Sequence, residues 1–77
     1  MPAHIGQNIK GAREAKGWSQ ETLAEKALGG AKNQAQLSRY ENGVNTPNLR
    51  TLERIASALS LFVADLLHDA SGEQKAS

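Results

Sequence analysis

Apolar residues in this chain recur every three or four positions, in short stretches separated by glycine, proline and small polar residues. That period belongs to helices with one buried stripe, and no stretch alternates apolar and polar residues long enough to make a strand. The first stretch predicts a helix from about Ile5 to Lys16. Ile5, Ile9 and Ala12 share one face, and Gly17 stands where a left-handed residue would close it. Ser19 is the expected cap of a second helix, with Glu21 in the first turn to complement the helix dipole. Leu23, Ala24, Ala27 and Leu28 form its buried stripe, and the pair Gly29-Gly30 stops it. A third, short helix is expected over about Asn33 to Tyr40. Asn33 caps it, Gln36 completes a capping-box pattern, Leu37 and Tyr40 face inward, and Gly43 ends it. Pro47 lies near the start of a fourth helix, capped by Thr46 or Asn48, whose stripe is Leu49, Leu52, Ile55, Ala56 and Leu59. The segment "LFVADLL" predicts a fifth helix burying Val63, Leu66 and Leu67. The expected fold class is therefore all-α: a compact five-helix bundle in one domain over residues 1–68, followed by a polar tail at 69–77 expected to be disordered.

Length limits this picture. A chain of 77 residues makes one small domain that buries only about 60% of its unfolded surface, so its core is thin. There is no cysteine, hence no disulfide and no thiolate metal ligand. No apolar run approaches the ~20 residues of a membrane span and no signal-peptide pattern opens the chain, so no membrane partner and a cytoplasmic location are expected. The net charge is +1, but it is unevenly spread: the first fifty residues carry seven Lys or Arg against four Asp or Glu, and the remainder two against four. A basic front suits a face turned to a polyanion. Catalysis has little to stand on. No Ser has a His partner in a plausible triad, and no glycine-rich phosphate loop follows a strand. His4 sits near the terminus, and His68 beside Asp65 and Asp69 reads as a helix-end cation rather than a metal ligand. Neither an enzyme nor a cofactor is expected.

The third helix carries unusual outward chemistry. Gln34, Ala35, Ser38 and Arg39 stand where a merely solvated face would more often hold Glu and Lys. Glutamine matches the N6 and N7 groups of adenine, arginine the O6 and N7 of guanine, and a small alanine permits close approach to a groove. Taken alone, Gln34 and Arg39 also fit an ordinary solvated surface, and Trp18 and Tyr40 read as packing residues.

The strings "IGQNIKGAREAKGWSQETLAEKA", "LSRYENG" and "TPNLRTLERIASAL", followed by "LFVADLL", resemble the Cro and lambda-repressor-like (XRE-type) helix-turn-helix family over about Ile5 to Leu67. The resemblance implies a five-helix lambda-repressor-like bundle whose second and third helices form the helix-turn-helix. It implies that Gln20 contacts a phosphate and braces the recognition helix. Gln34, Ala35 and Arg39 would face base edges, with Gln36 and Ser38 at the margins, and Asn42 would meet a phosphate. Arg13 and Glu41 match a family ion pair joining the first helix to the end of the third. Three departures stand out. Between Ala27 and Asn33 the chain has about three more residues than the family's tight turn, among them Lys32, a further candidate for a phosphate. Ser60 replaces a glycine cap and Phe62 a capping serine. Val44 and Asn45 replace basic residues.

These readings predict a sequence-specific regulator of transcription that binds double-stranded DNA. It would be a repressor acting as a homodimer on a near-palindromic operator, with Asn33 to Tyr40 in the major groove. Leu61, Phe62 and Leu66 of the last helix are the expected dimer contact. The alternative is a protein-interaction module that uses the fold as a scaffold, such as a toxin-neutralising antitoxin, with a toxin or the transcription machinery as its partner.

Overall fold

The computed structural model describes residues 3–67. The expected tail at 69–77, the side chain of His4 and the His68–Asp69 pair lie outside the described part. Among the described residues the elements are α1 (Ala3–Ala15), α2 (Gln20–Ala27), a single 3-10 turn at Ala31–Asn33, α3 (Gln34–Glu41), α4 (Leu49–Ala58) and α5 (Val63–Leu67). Strands are absent from this part, as the periodicity predicts. Each helix sends at least one apolar side chain to a single core: Ile9, Leu23, Leu37, Leu52, Ile55, Leu59 and Leu66 are all at most 4% exposed. Ile5, Ala12, Trp18, Leu28, Tyr40, Leu61 and Val63 pack around its edge.

The helix ends explain how so short a chain turns four corners between five helices. Ser19 and Asn48 have extended backbones, and their side-chain oxygens accept from the amides of Thr22 (3.1 Å) and Thr51 (2.8 Å). Asn48, rather than Thr46, is thus the cap of α4. Three helices finish in one way, with paired amide bonds returning to the last turn. Trp18 N donates to Arg13 O and Gly17 N to Glu14 O after α1, Val44 N to Arg39 O and Gly43 N to Tyr40 O after α3, and Leu61 N to Ala56 O and Ser60 N to Ser57 O after α4. The left-handed position is glycine in the first two and Ser60, at φ 61°, in the third. At the start of α5 the amide of Phe62 donates to Asp65 Oδ2 at 2.9 Å. This is the half of a capping box that does not need a serine, so the missing hydroxyl at Phe62 is offset by Asp65.

Three expectations need correction. Asn33 is not an extended cap: its φ and ψ are −89° and 10°, and it makes no side-chain bond to the helix. The inserted residues wind into the 3-10 turn just before α3, so Asn33 already has near-helical backbone. Its Nδ2 instead donates back to Leu28 O at 2.6 Å, closing the loop onto the end of α2. The expected partner, Gln36, accepts from Arg39 Nη1 at 3.4 Å. Leu49 and Leu67, placed in buried stripes by spacing, are 63% and 54% exposed, because each sits at a helix end beyond the core's reach. Leu66 is 1% exposed, so it fills the core and offers nothing to a partner surface.

One close approach was not foreseen. A Cβ on Gly6 would collide with Tyr40 O and lie 2.6 Å from Glu41 O, so α1 rests directly on the final carbonyls of α3. Gly11, on the same helix, meets nothing within 4 Å. Denaturant unfolding should therefore show opposite signs for the two alanine substitutions. Gly6→Ala is expected to lose about 1–3 kcal/mol to the clash, whereas Gly11→Ala gains about 0.5–1 kcal/mol from helix propensity. Matching signs would refute the contact. Ser60→Gly should gain about 0.5–1 kcal/mol in the same assay, since the left-handed strain removed exceeds the extra freedom given to the unfolded chain.

Candidate nucleic-acid interface

On α3, Leu37 and Glu41 are one turn apart and both buried, which fixes the inner face of the helix. The opposite face then follows from geometry. Ala35, Arg39 and Asn42 are exposed, while Gln34 and Ser38 flank them on one side and Gln36 on the other, each half-buried. Of the five expected base-reading residues, Ala35 and Arg39 thus point fully outward, with Asn42 at the helix end, while Gln34, Gln36 and Ser38 stand half-buried at the margins of that face. Asn42 Nδ2 lies 3.3 Å from Ser38 Oγ. Lys32 stands exposed on the 3-10 turn just ahead of α3. Gln20 opens α2 and borders a shallow depression of about 450 Å³ that it shares with Arg13, Ser19, Glu21 and Gln34.

Behind this face lies a chain of polar contacts. Arg13, in the last turn of α1, meets Glu41 with two parallel bonds, Nε to Oε2 at 2.8 Å and Nη2 to Oε1 at 3.2 Å. Both residues are buried, at 8% and 5% exposed. The third guanidinium nitrogen, Nη1, donates to Trp18 O at 2.7 Å, and Glu14 adds a longer contact at 3.8 Å. The bond to Glu41 raises the Arg13 guanidinium above its ordinary, already alkaline value, against the opposing effect of burial. On the arginine side, therefore, the pair's stabilisation is complete below the unfolded guanidinium value and fades only as pH climbs through the higher folded one. From Glu41 the chain continues outward: Gln20 Nε2 donates to Glu41 Oε1 at 3.0 Å, and Gln34 Nε2 donates to Gln20 Oε1 at 2.6 Å.

Spacing in the sequence foretells the ion pair only through family resemblance, and the two glutamine links leave no local trace. The partners of Gln20 lie 14 and 21 residues away. A second feature passed over is the corner around Trp18. Lys16 Nζ and Lys26 Nζ approach its ring to 5.4 and 5.0 Å from the centroid, a cation–π arrangement that ties the corner after α1 to the last turn of α2. Of the three residues expected at a dimer contact, Phe62 is 80% exposed, Leu61 is half-buried against the core, and Leu66 is internal. Among the described residues no group of three or more His, Cys, Asp or Glu could hold a metal ion, and no helix is long and apolar enough to cross a membrane.

Two helices joined by a turn, the second presenting amide and guanidinium groups, define a helix-turn-helix protein. The family model described as helix-turn-helix matches residues 9–61, and the chain belongs to that family. An uncharacterized HTH-type transcriptional regulator, y4wC of Sinorhizobium fredii (strain NBRC 101917 / NGR234), is 38% identical over 79 residues, covering 97% of this chain and 53% of that protein. The HTH-type transcriptional regulators SinR of Bacillus licheniformis and of Bacillus subtilis (strain 168) are each 42% identical over 66 residues, covering 84% of this chain and 57% of theirs. The chain thus spans just over half the length of these relatives. No solved structure matches it significantly.

The buried pair makes an energetic prediction. Glu41→Leu leaves a buried guanidinium without its carboxylate and should cost about 3–5 kcal/mol in chemical denaturation. Adding Arg13→Met should restore most of that loss, because the desolvated charge goes with its partner. A double variant no more stable than Glu41→Leu alone would show that the loss has another origin.

Proposed function

We propose that this chain is a sequence-specific, double-stranded DNA-binding regulator of transcription, a repressor that acts as a homodimer on a near-palindromic operator. The observation that carries the reading is the outward face of α3. Gln34, Ala35, Ser38 and Arg39 offer donors, acceptors and a small apolar contact on a helix anchored from behind by a buried ion pair. Such a helix fits the major groove, where each base pair shows a distinct pattern of donors and acceptors. Gln20, Lys32 and Asn42 are the residues proposed to grip the flanking phosphates, with Gln36 at the edge of the site. The regulator names borne by the relatives point the same way.

Dimerisation follows from need and from surface. One small helix-turn-helix covers too little DNA for tight specific binding alone. Phe62, 80% exposed, and Leu67, 54% exposed, leave apolar area on α5 and the turn before it that a second copy would cover. Occupancy of a promoter by such a dimer represses it.

Selection from random duplex DNA at near-physiological salt tests the reading. The expected product is a two-fold symmetric motif with half-site centres about one helical turn, ~10 bp, apart. The double variant Gln34→Ala, Arg39→Ala should enrich no motif while keeping the wild-type helical circular dichroism. A folded wild-type chain that enriches nothing would instead favour the protein-interaction reading.

A further inference from the structure

Of the five asparagines in the chain, one, Asn42, is followed by glycine. That pairing carries a reaction of its own. A backbone amide nitrogen can close on the side-chain amide carbon of the asparagine before it to form a succinimide, and a Cβ on the following residue crowds that approach. Glycine leaves it open. Asn8, Asn33, Asn45 and Asn48 are followed instead by Ile9, Gln34, Thr46 and Leu49. Three of them are also held: Asn8 Nδ2 donates to Leu66 O at 2.7 Å, Asn33 Nδ2 donates to Leu28 O at 2.6 Å, and Asn48 Oδ1 accepts from Thr51 N at 2.8 Å. Asn42 and Gly43 are both exposed, and Asn42 Nδ2 makes a long contact of 3.3 Å to Ser38 Oγ.

The fold supplies the reason for the glycine. Gly43 takes the left-handed position that ends α3, at φ 78°, where any side chain is strained. Closing the helix in this way creates the reactive pair. In the closed turn Gly43 N donates to Tyr40 O at 3.2 Å, and ψ of Asn42 is 0°. The nitrogen must leave that carbonyl before it can swing under Asn42 Cγ. Opening involves the amides of Gly43, Val44 and Asn45, which return to Tyr40 and Arg39, and a helix end opens far more readily than the whole domain. Glu41, pinned by Arg13, keeps the rest of α3 in place meanwhile.

We propose that Asn42–Gly43 is a self-modification site that inactivates the DNA-reading face as the protein ages. Gly43 N bonds to Asn42 Cγ, the Cγ–Nδ2 bond breaks, and the proton lost by Gly43 N leaves with Nδ2 as ammonia. Water then opens the ring at either carbonyl. One opening gives aspartate, and the other gives isoaspartate, in which the chain runs through Cβ and Cγ. Nothing is oxidised or reduced. Both products place a carboxylate at the negative end of the α3 dipole, next to Glu41, on the residue proposed to meet a phosphate. Isoaspartate also adds a methylene to the backbone inside the closing turn. The loss of DNA binding rests on the DNA-reading assignment above; the chemistry does not.

Ageing the full chain at neutral and at mildly alkaline pH, followed by peptide mass mapping, tests this. Asn42 should convert to a mixture of aspartate and isoaspartate while the other four asparagines keep their amides. Conversion should be faster at the higher pH, because the Gly43 nitrogen attacks without its proton. Asn42→Gln should show none at this position, since its longer side chain would have to close a larger ring. Converted chains, separated by anion exchange, should bind an operator recovered by the random-duplex selection roughly 10- to 150-fold more weakly than fresh ones, the range for losing a hydrogen bond to a charged group. Asn42→Asp should be weak from the start. An intact Asn42 in the folded chain, over a time in which the same chain in urea converts, would overturn the proposal, as would conversion shared evenly among the asparagines. Converted chains that bind as tightly as fresh ones would overturn the inactivation. If Asn42 converts but fresh, folded wild type enriches no motif, the DNA-reading assignment fails and the inactivation of that face fails with it.

Discussion

Arg13 and Glu41 surrender nearly all their contact with water to meet each other, and the placement of α3 depends on that meeting. Two charges taken from water recover their desolvation cost only with good geometry and with their remaining polar atoms satisfied. Both conditions hold. The pair is bidentate, the third arginine nitrogen bonds Trp18 O, and Glu41 Oε1 also accepts from Gln20. One guanidinium therefore reaches the corner after α1 and the end of α3, and its carboxylate reaches the start of α2. Leu37 supplies apolar burial beneath α3 but little directional information, since a lone leucine tolerates rotation of the helix about it. The ion pair removes that freedom.

The same end of α3 is fixed sterically by Gly6. Gly6 and Arg13 are seven residues apart on α1, two turns, so they lie on one face. The first lets the backbone touch the carbonyls of Tyr40 and Glu41, and the second holds the Glu41 side chain. A larger residue at Gly6 would lift α1 and lengthen the arginine's reach. The closeness and the charge contact are thus one arrangement. Beyond it, Gly43 turns the chain away and Pro47 is buried before α4 begins, so the C-terminal end of α3 is held by elements other than itself.

Much of this was legible in the sequence, and the reasons for the exceptions are physical. Apolar spacing located all five helices because a small bundle has one core and each helix must turn one stripe toward it. It failed at Leu49 and Leu67 because periodicity carries no information about where the core ends. Asn33 misled because a capping-box pattern states a local preference, and the inserted residues supplied a 3-10 turn that placed Asn33 in helical backbone before any cap was needed. Of the candidate interface, the exposure of Ala35 and Arg39 on α3 could be read from Leu37 and its period. The links Gln34–Gln20–Glu41 could not, because they join residues that only tertiary packing brings together. Gly6 was equally silent: a glycine in a helix looks like a weakness until its neighbour across the interface is known.

The near-neutral charge bears on why those hidden links would matter under the proposed DNA-reading function. At net +1, with exposed Val44 and Asn45 rather than cations after α3, few phosphates would be neutralised. Each one forgone removes about 0.9 from the salt slope and lowers the sequence-independent part of binding. Discrimination must then come from base edges, where one good bidentate contact is worth about 1–3 kcal/mol. A glutamine that must be ordered from free rotation loses up to about 2 kcal/mol of side-chain entropy, which is the size of the contact itself. A Gln34 already held by Gln20 in the unbound protein has met most of that cost during folding, with the buried pair as the anchor. On a weakly charged domain, the proposed reading of bases would lean on side chains ordered before binding, with little sequence-independent attraction to add to it.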